Sequence, residues 1–130
     1  MRITKDNINK FIDRTRIRLG SRKITKLDYV PEGITHLHLG NNELTELPKL
    51  PESLTHLYCY NNNITSLPKL PDSLIRLNCQ NNNITELTKL PDGLNISCQN
   101  NNIPYRVTIN NVREHNKFIK RKNILSKICT

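Results

Sequence analysis

The feature of this sequence that most constrains its fold is a repeat of 20 residues. Three copies follow one another without a gap, residues 37–56 (LHLGNNELTELPKLPESLTH), 57–76 (LYCYNNNITSLPKLPDSLIR) and 77–94 (LNCQNNNITELTKLPDGL). A shorter copy begins at Ile96 after a one-residue deletion, and less regular copies precede Leu37. Such repeats stack as coils of a solenoid, because a single unit cannot bury its apolar face alone. We therefore predict one domain in which residues 17–104 form about five stacked units, the outer ones degenerate.

Each unit carries the pattern L-x-x-L-x-L-x-x-N-x-L, which in the central copy is Leu54, Leu57, Cys59, Asn62 and Ile64. Alternation along a short strand sends Leu57 and Cys59 to the same face, so we expect both in the core. The asparagine lies where the chain leaves the strand, and its amide can bond the backbone of that turn and of the next coil. The pattern therefore predicts a structural asparagine ladder made of Asn42, Asn62, Asn82 and Asn101.

The second half of each unit is rich in proline. Pro48 and Pro51 are three residues apart, as are Pro68 and Pro71 in the next copy, whereas Thr88 replaces the first proline of the third copy. Two prolines at this spacing exclude a regular helix and favour extended, polyproline-like backbone. The sequence therefore predicts a short parallel β-sheet on the concave face of the solenoid and extended proline-rich segments on the convex face.

The motif LPxLPxSLxxLxxxxNxIT resembles the short, 20-residue class of leucine-rich repeat found in type III secreted effectors of enteric bacteria. It is also similar to uncharacterised repeat proteins of large DNA viruses. The resemblance covers roughly residues 17–104 and implies a leucine-rich-repeat solenoid, whereas a fold alone does not fix a function. Some of those effectors carry a ubiquitin-ligase domain after the repeats, and we expect no such activity from the short stretch that follows residue 104.

The ends of a solenoid need caps, because the terminal coils would otherwise expose apolar faces. Residues 1–16 are predicted to form an N-terminal helical cap. Its helix would span residues 4–13, with Thr4 as N-cap and with the apolar residues Ile8, Phe11 and Ile12 at helical spacing. Arg22 stands in the asparagine slot of the first unit, which predicts a distorted coil there.

Residues 105–130 are predicted to form a basic C-terminal helical cap and tail. Glu114 follows Asn111 by three residues, as in a capping box. Two apolar stripes are expected on the helix, one formed by Val112, His115 and Ile119 and the other by Phe118, Leu125 and Ile128. Its exposed side would carry Lys117, Lys120, Arg121 and Lys122.

Charge is distributed unevenly along the chain, whose net charge is +9. Residues 1–26 carry nine Lys and Arg against two acids, residues 27–104 carry four against eight, and residues 105–130 carry seven against one. The basic ends indicate solvated caps or, as an alternative function, binding of nucleic acid or another anionic surface. No apolar leader or membrane span is recognised, so we expect a cytoplasmic protein, in the host-cell cytoplasm if it is effector-like or viral.

Outward positions on the strands predict the binding surface. The residues concerned are His36, His38, His56, Tyr58, Tyr60, Arg76, Asn78 and Gln80. Tyr and Arg are typical of binding hot spots, so we expect a non-catalytic module that holds a protein partner on the concave face. Oligomeric state and partner identity do not follow from the sequence.

Other chemistry is less well supported by the sequence. His36, His38 and His56 could meet as a three-histidine metal site, although no nearby carboxylate would orient them. Spacing alone leaves a Ser-His-Asp arrangement open, but there is no G-x-S-x-G motif, P-loop or dinucleotide fingerprint. Cys59, Cys79 and Cys98 share one core slot without C-x-x-C spacing, so we expect reduced, buried thiols rather than a metal or disulfide site. No enzyme activity, metal or cofactor is therefore expected.

Overall fold

The computed structural model describes residues 1–128, and their side chains as far as residue 124. The chain forms a parallel-sheet β-solenoid of about five turns, followed by one α-helix. The elements in chain order are β1 (Arg2–Ile3), β2 (Ile12–Asp13), β3 (Arg16–Arg18), β4 (Lys26–Leu27), β5 (His36–His38), β6 (His56–Tyr58), β7 (Arg76–Asn78), β8 (Asn95–Ser97) and α1 (Val112–Ile128).

The main sheet has six strands in the order β2-β3-β5-β6-β7-β8. Only β2 runs antiparallel to its neighbour, and the other strands are parallel, so the predicted parallel sheet is confirmed. Equivalent positions of the repeat are in register, as when Leu37 pairs with Leu57 and Leu57 with Leu77. The pairing of Leu77 with Ile96 absorbs the one-residue deletion without a slip of register.

The core lies directly behind this sheet. Leu37, Leu57 and Leu77 are fully buried, and Cys59 and Cys79 fill the next inward position of their coils. Segment 47–51, which holds the prolines of the first complete copy, contains neither helix nor strand. Its leucines, Leu47 and Leu50, are nevertheless buried and belong to the same core cluster as the strand leucines. The period of the repeat thus brings one strand and one proline-rich segment to the core in every coil.

The N-terminal cap differs from the predicted helix over residues 4–13. A single 3-10 turn spans Ile8–Phe11, with Asn7 rather than Thr4 at its N-cap. Thr4 instead donates its N–H to Asn7 Oδ1 at 2.7 Å. The chain before the turn forms β1, which pairs with β4, and the chain after it forms β2, which pairs with β3. Strand pairing satisfies the backbone of this short segment, whereas an isolated helix of this length is marginal in water.

At the other end α1 covers the last coil. Val112 and His115 are buried and Ile119 is half-buried, which fits one expected stripe, whereas Phe118 is 52% exposed. The side chains of Leu125 and Ile128, expected in the second stripe, lie outside the described residues. Asn111 does not cap the helix through its side chain as expected, because its Oδ1 accepts the N–H of Thr108 instead, at 2.6 Å. Within residues 1–128 no helix is long and apolar enough to cross a membrane.

A candidate binding strip on the sheet face

The outward side chains of β3 and β5–β7, with the residue two positions beyond β6 and β7, form one continuous surface that we call the strip. Its members are Arg16, Arg18, His36, His38, His56, Tyr58, Tyr60, Arg76, Asn78 and Gln80. Strand register places Arg16, His36, His56 and Arg76 side by side in one row, and Arg18, His38, Tyr58 and Asn78 in the next. The structure therefore brings all eight sequence-predicted surface residues onto one face of the sheet.

Rings on the strip are stacked. His36 lies on His56 with ring centroids 4.3 Å apart and planes 9° from parallel. His38 lies on Tyr58 at 4.4 Å and 19°. All four side chains are half-buried, so each ring presents an edge to solvent and a face to its neighbour. Stacking across parallel strands thus restricts the rotamers of these four rings.

Positive neighbours surround the imidazoles. Partial burial, then His56, Arg16 and His38, lower the pKa of His36 below its ordinary value. Partial burial, then Arg18, Arg16 and His56, lower the pKa of His38. Both rings are therefore neutral at pH 7 in the free protein.

Two threonines hold the stacked histidine pair. Thr35 Oγ1 lies 2.9 Å from His36 Nδ1, and Thr55 Oγ1 lies 2.9 Å from His56 Nδ1. Thr55 Oγ1 also donates to the carbonyl of Thr35 at 3.0 Å, which ties the row to the backbone of the neighbouring coil. These contacts fix the orientation of both imidazole rings.

No group of three or more His, Cys, Asp or Glu among residues 1–124 is arranged to hold a metal ion.

The third row of the strip, which holds Tyr60 and Gln80, contains a contact that the sequence pattern did not predict. The ring of Tyr60 lies over Gly40, and a Cβ built at position 40 would overlap it. In the same row Gln99 donates its side-chain amide to Gln80 Oε1. Tyr60 is thus packed on the neighbouring coil as well as facing solvent.

Beside the strip, the inner asparagines tie successive coils together. Asn62 Oδ1 accepts the N–H of Leu44 at 3.0 Å, while its Nδ2 donates to the carbonyls of Leu39 at 3.0 Å and Cys59 at 3.1 Å. Asn42, Asn82 and Asn101 repeat this arrangement. Each amide thus satisfies backbone groups of two coils at once, as the turn after the strand requires.

A second, exposed asparagine ladder runs next to the inner one and was missed at the sequence level. Nδ2 of Asn61, Asn81 and Asn100 donates to Oδ1 of the preceding member, Asn41, Asn61 or Asn81, at 2.6–2.7 Å. All four residues have φ between 54° and 59°, where asparagine is tolerated better than other side chains. The signal was present as the recurring NNN triplet, whose first member has this separate role.

The cysteines lie in the core, beneath the strip. Burial raises the pKa of Cys59 to about 12 and also raises that of Cys79 and Cys98. All three are free thiols, and Cys98 Sγ donates to the carbonyl of Val107 at 3.2 Å. Cys129 lies outside the described residues. These thiols are therefore poorly placed to act as nucleophiles or redox groups.

A separate cleft of about 540 Å³ lies between the last coil and α1. Leu87, Ile103 and Tyr105 line it on the coil side, and Phe118 lines it on the helix. Lys122 Nζ and Glu86 Oε2 bridge its rim at 3.3 Å. The sequence did not predict this cleft, because its shape depends on how the helix docks rather than on the repeat.

A scan against models of known protein families finds no match to this chain, and a search of curated proteins finds no relative.

Proposed function

We propose that this chain is a leucine-rich-repeat protein and that it works as a non-catalytic module which holds a protein partner on the strip. The 20-residue motif supports the repeat class. The observation that carries the functional part is the stacked His36–His56 and His38–Tyr58 pairs, flanked by arginine, on a regular sheet. Side chains fixed in this way lose little conformational entropy on binding. Tyrosine and arginine are moreover the residue types that contribute most at protein interfaces.

The experiment that tests this proposal is capture of partners from an extract of the source cells, followed by affinity measurement. The strip variant combines Tyr58→Ala with Arg76→Ala, because Tyr60 also packs on Gly40 and its loss would mix binding with stability. The control variant combines Lys49→Ala with Lys69→Ala, two exposed lysines on the proline-rich segments. We expect the strip variant to bind at least ~30-fold more weakly, about 2 kcal/mol, and to remain folded in a thermal melt, because neither Tyr58 nor Arg76 belongs to the buried core.

The alternative, binding of nucleic acid or another anionic surface through the basic ends, is favoured by the exposure of Lys117, Lys120 and Arg121 on α1. Replacing these three residues with alanine provides its test. If only this variant loses affinity, and the loss is steeply salt-dependent, the charged-surface function replaces the one proposed.

A further inference from the structure

Charge is segregated on the repeats. The eight carboxylates of residues 27–104 all lie outside strands β5–β8, whereas Arg16, Arg18 and Arg76 lie on the strip. Among the described residues, the one carboxylate in register with the strip is Asp13, which pairs with Arg16 across β2 and β3. The strip is therefore a positive surface, to which the basic first segment contributes Arg16 and Arg18 and the acidic middle segment contributes Arg76, and it is complementary to carboxylates.

The size of the strip sets the size of what it binds. The four parallel strands that supply its residues, β3 and β5–β7, lie about 4.8 Å apart and give it a length of roughly 14 Å. An extended chain covers that distance in about four to five residues. Its three rows of side chains cover an area much smaller than the roughly 800 Å² that each partner contributes to a standard protein interface. One extended peptide segment fits this surface better than a flat globular face does.

The histidines make such binding sensitive to protons. His36 faces Arg16, His38 and His56; His38 faces Arg18, Arg16, Tyr58 and His56; His56 faces His36, Tyr58 and Arg76. Every charged group next to the imidazoles on the strip is thus cationic, and only Asp13 beyond Arg16 is negative. Partial burial and the neighbouring cations oppose protonation of His36 and His38 in the free protein, whereas carboxylates laid over these rings would favour it.

Building on the proposed function, we propose that the strip binds an extended acidic peptide segment of a partner protein, whose carboxylates lie over the histidine and arginine rows and bind together with protons taken up by the imidazoles. Affinity then rises as the pH falls from 8 to 6, because glutamate remains ionised over this range while histidine gains charge. Protonation before binding costs less at lower pH, so the sign of the effect follows from the direction of proton uptake.

The test uses a fluorescent eight-residue peptide of alternating Glu and Ser, and the same peptide with Gln in place of Glu. We expect the glutamate peptide to bind roughly 3- to 10-fold more tightly at pH 6 than at pH 8, since a one-unit rise in a single histidine pKa supplies up to tenfold. The glutamine peptide should bind weakly at both. The variant His36→Asn/His38→Asn/His56→Asn should lose the pH dependence but retain its fold, because Asn95 and Asn78 occupy the same rows naturally. A thermal melt checks that the variant is folded.

Equal binding of the two peptides, a pH-independent affinity, or a pH dependence that survives the histidine variant would each overturn the inference. A mixed-sequence 16-nucleotide single strand that binds more tightly than the glutamate peptide, and binds the strip variants equally well, would also overturn the inference. Binding through the basic ends would then take its place. Failure of the proposed function has a different signature. In that case the captured partner binds the Tyr58→Ala/Arg76→Ala variant as tightly as the unmodified protein, and both the proposed function and the inference fail. If that variant loses the partner but the glutamate peptide does not compete for it, only the inference fails.

Discussion

The ring of Tyr60 occupies the space that a side chain at Gly40 would need. The backbone of Gly40 is not left-handed, so glycine is required here for room rather than for conformation. Gly20 stands at the equivalent position one coil earlier, where an added Cβ would meet only the carbonyl oxygen of Gly40 at 3.5 Å. Two glycines of the same repeat position therefore have different reasons to be glycine.

Gly40→Ala is expected to destabilise the protein by about 1–2 kcal/mol, because the ring of Tyr60 has to leave its place. Gly20→Ala is the matched control and should be neutral or stabilising by up to ~1 kcal/mol, since it lowers the entropy of the unfolded chain. Urea denaturation of both variants measures the difference. In a Tyr60→Ala background the cost of Gly40→Ala should disappear, and a cost that persists there would contradict the assigned contact.

Asn62→Ala is expected to lower the free energy of unfolding by ~3 kcal/mol or more. It leaves the buried N–H of Leu44 without a partner, which is costly, and it removes one of the two side-chain hydrogen bonds to each of the carbonyls of Leu39 and Cys59. Its control is Asn61→Gly in the exposed ladder, which keeps the left-handed backbone accessible and should cost under ~1 kcal/mol. Similar melting temperatures for the two variants would show that the inner and outer ladders had been confused.

The sheet and its core could be predicted from the sequence because they depend on a period. A repeat of 20 residues with Leu57 and its equivalents inward fixes the strands, their parallel order and their register together. The outward rows follow from the same alternation, which is why the strip residues were found without a structure.

The parts that failed depend on contacts between non-equivalent residues. The N-terminal segment shows helical spacing, yet Arg2 forms an ion pair with Asp28 at 2.9 Å, and the guanidinium of Arg22 lies 5.1 Å from the ring centroid of Phe11. Such contacts come from the first coil, and spacing within residues 4–13 carries no trace of them. Tyr60 over Gly40 was missed for another reason, since the two residues hold the same repeat position in adjacent coils and the period alone does not show that a ring will pack over a glycine.

The three described cysteines are expected to resist modification in the native state. With the pKa of Cys59 at about 12, only about one thiol in 10,000 is ionised at pH 8, and burial hinders the reagent further. In a Cys129→Ser variant, a chromogenic disulfide reagent should therefore react with fewer than one thiol until urea is added. Burial raises the pKa values in the folded state, so the associated stability is complete below about pH 8.5 and is lost as the pH rises toward the folded values. Rapid labelling of all three thiols without urea would refute the core assignment.

The docking of α1 depends on two adjacent side chains. Asn116 donates to the carbonyl of Leu90 at 2.7 Å and accepts its N–H at 2.8 Å, so a side-chain amide replaces the backbone of a further coil. His115 Nε2 lies 2.7 Å from the carbonyl of Thr88, which can only accept, and the opposite nitrogen lies 2.7 Å from Tyr105 Oη. A repeat that ends without another coil needs these partners for its last backbone groups.

Asn116→Ala should therefore loosen the helix without unfolding the solenoid. Loss of two partly buried hydrogen bonds to Leu90 is expected to cost about 2 kcal/mol, which corresponds to about 30-fold faster amide hydrogen exchange in α1. Exchange in strands β5–β7 should not change, since their hydrogen bonds do not involve the helix. Lys117→Ala, at the exposed neighbouring position, is the control and should leave exchange in α1 as it is. If Asn116→Ala accelerates exchange equally in the helix and in β5–β7, the helix is part of one cooperative unit with the repeats, and its description as a separately docked cap is wrong.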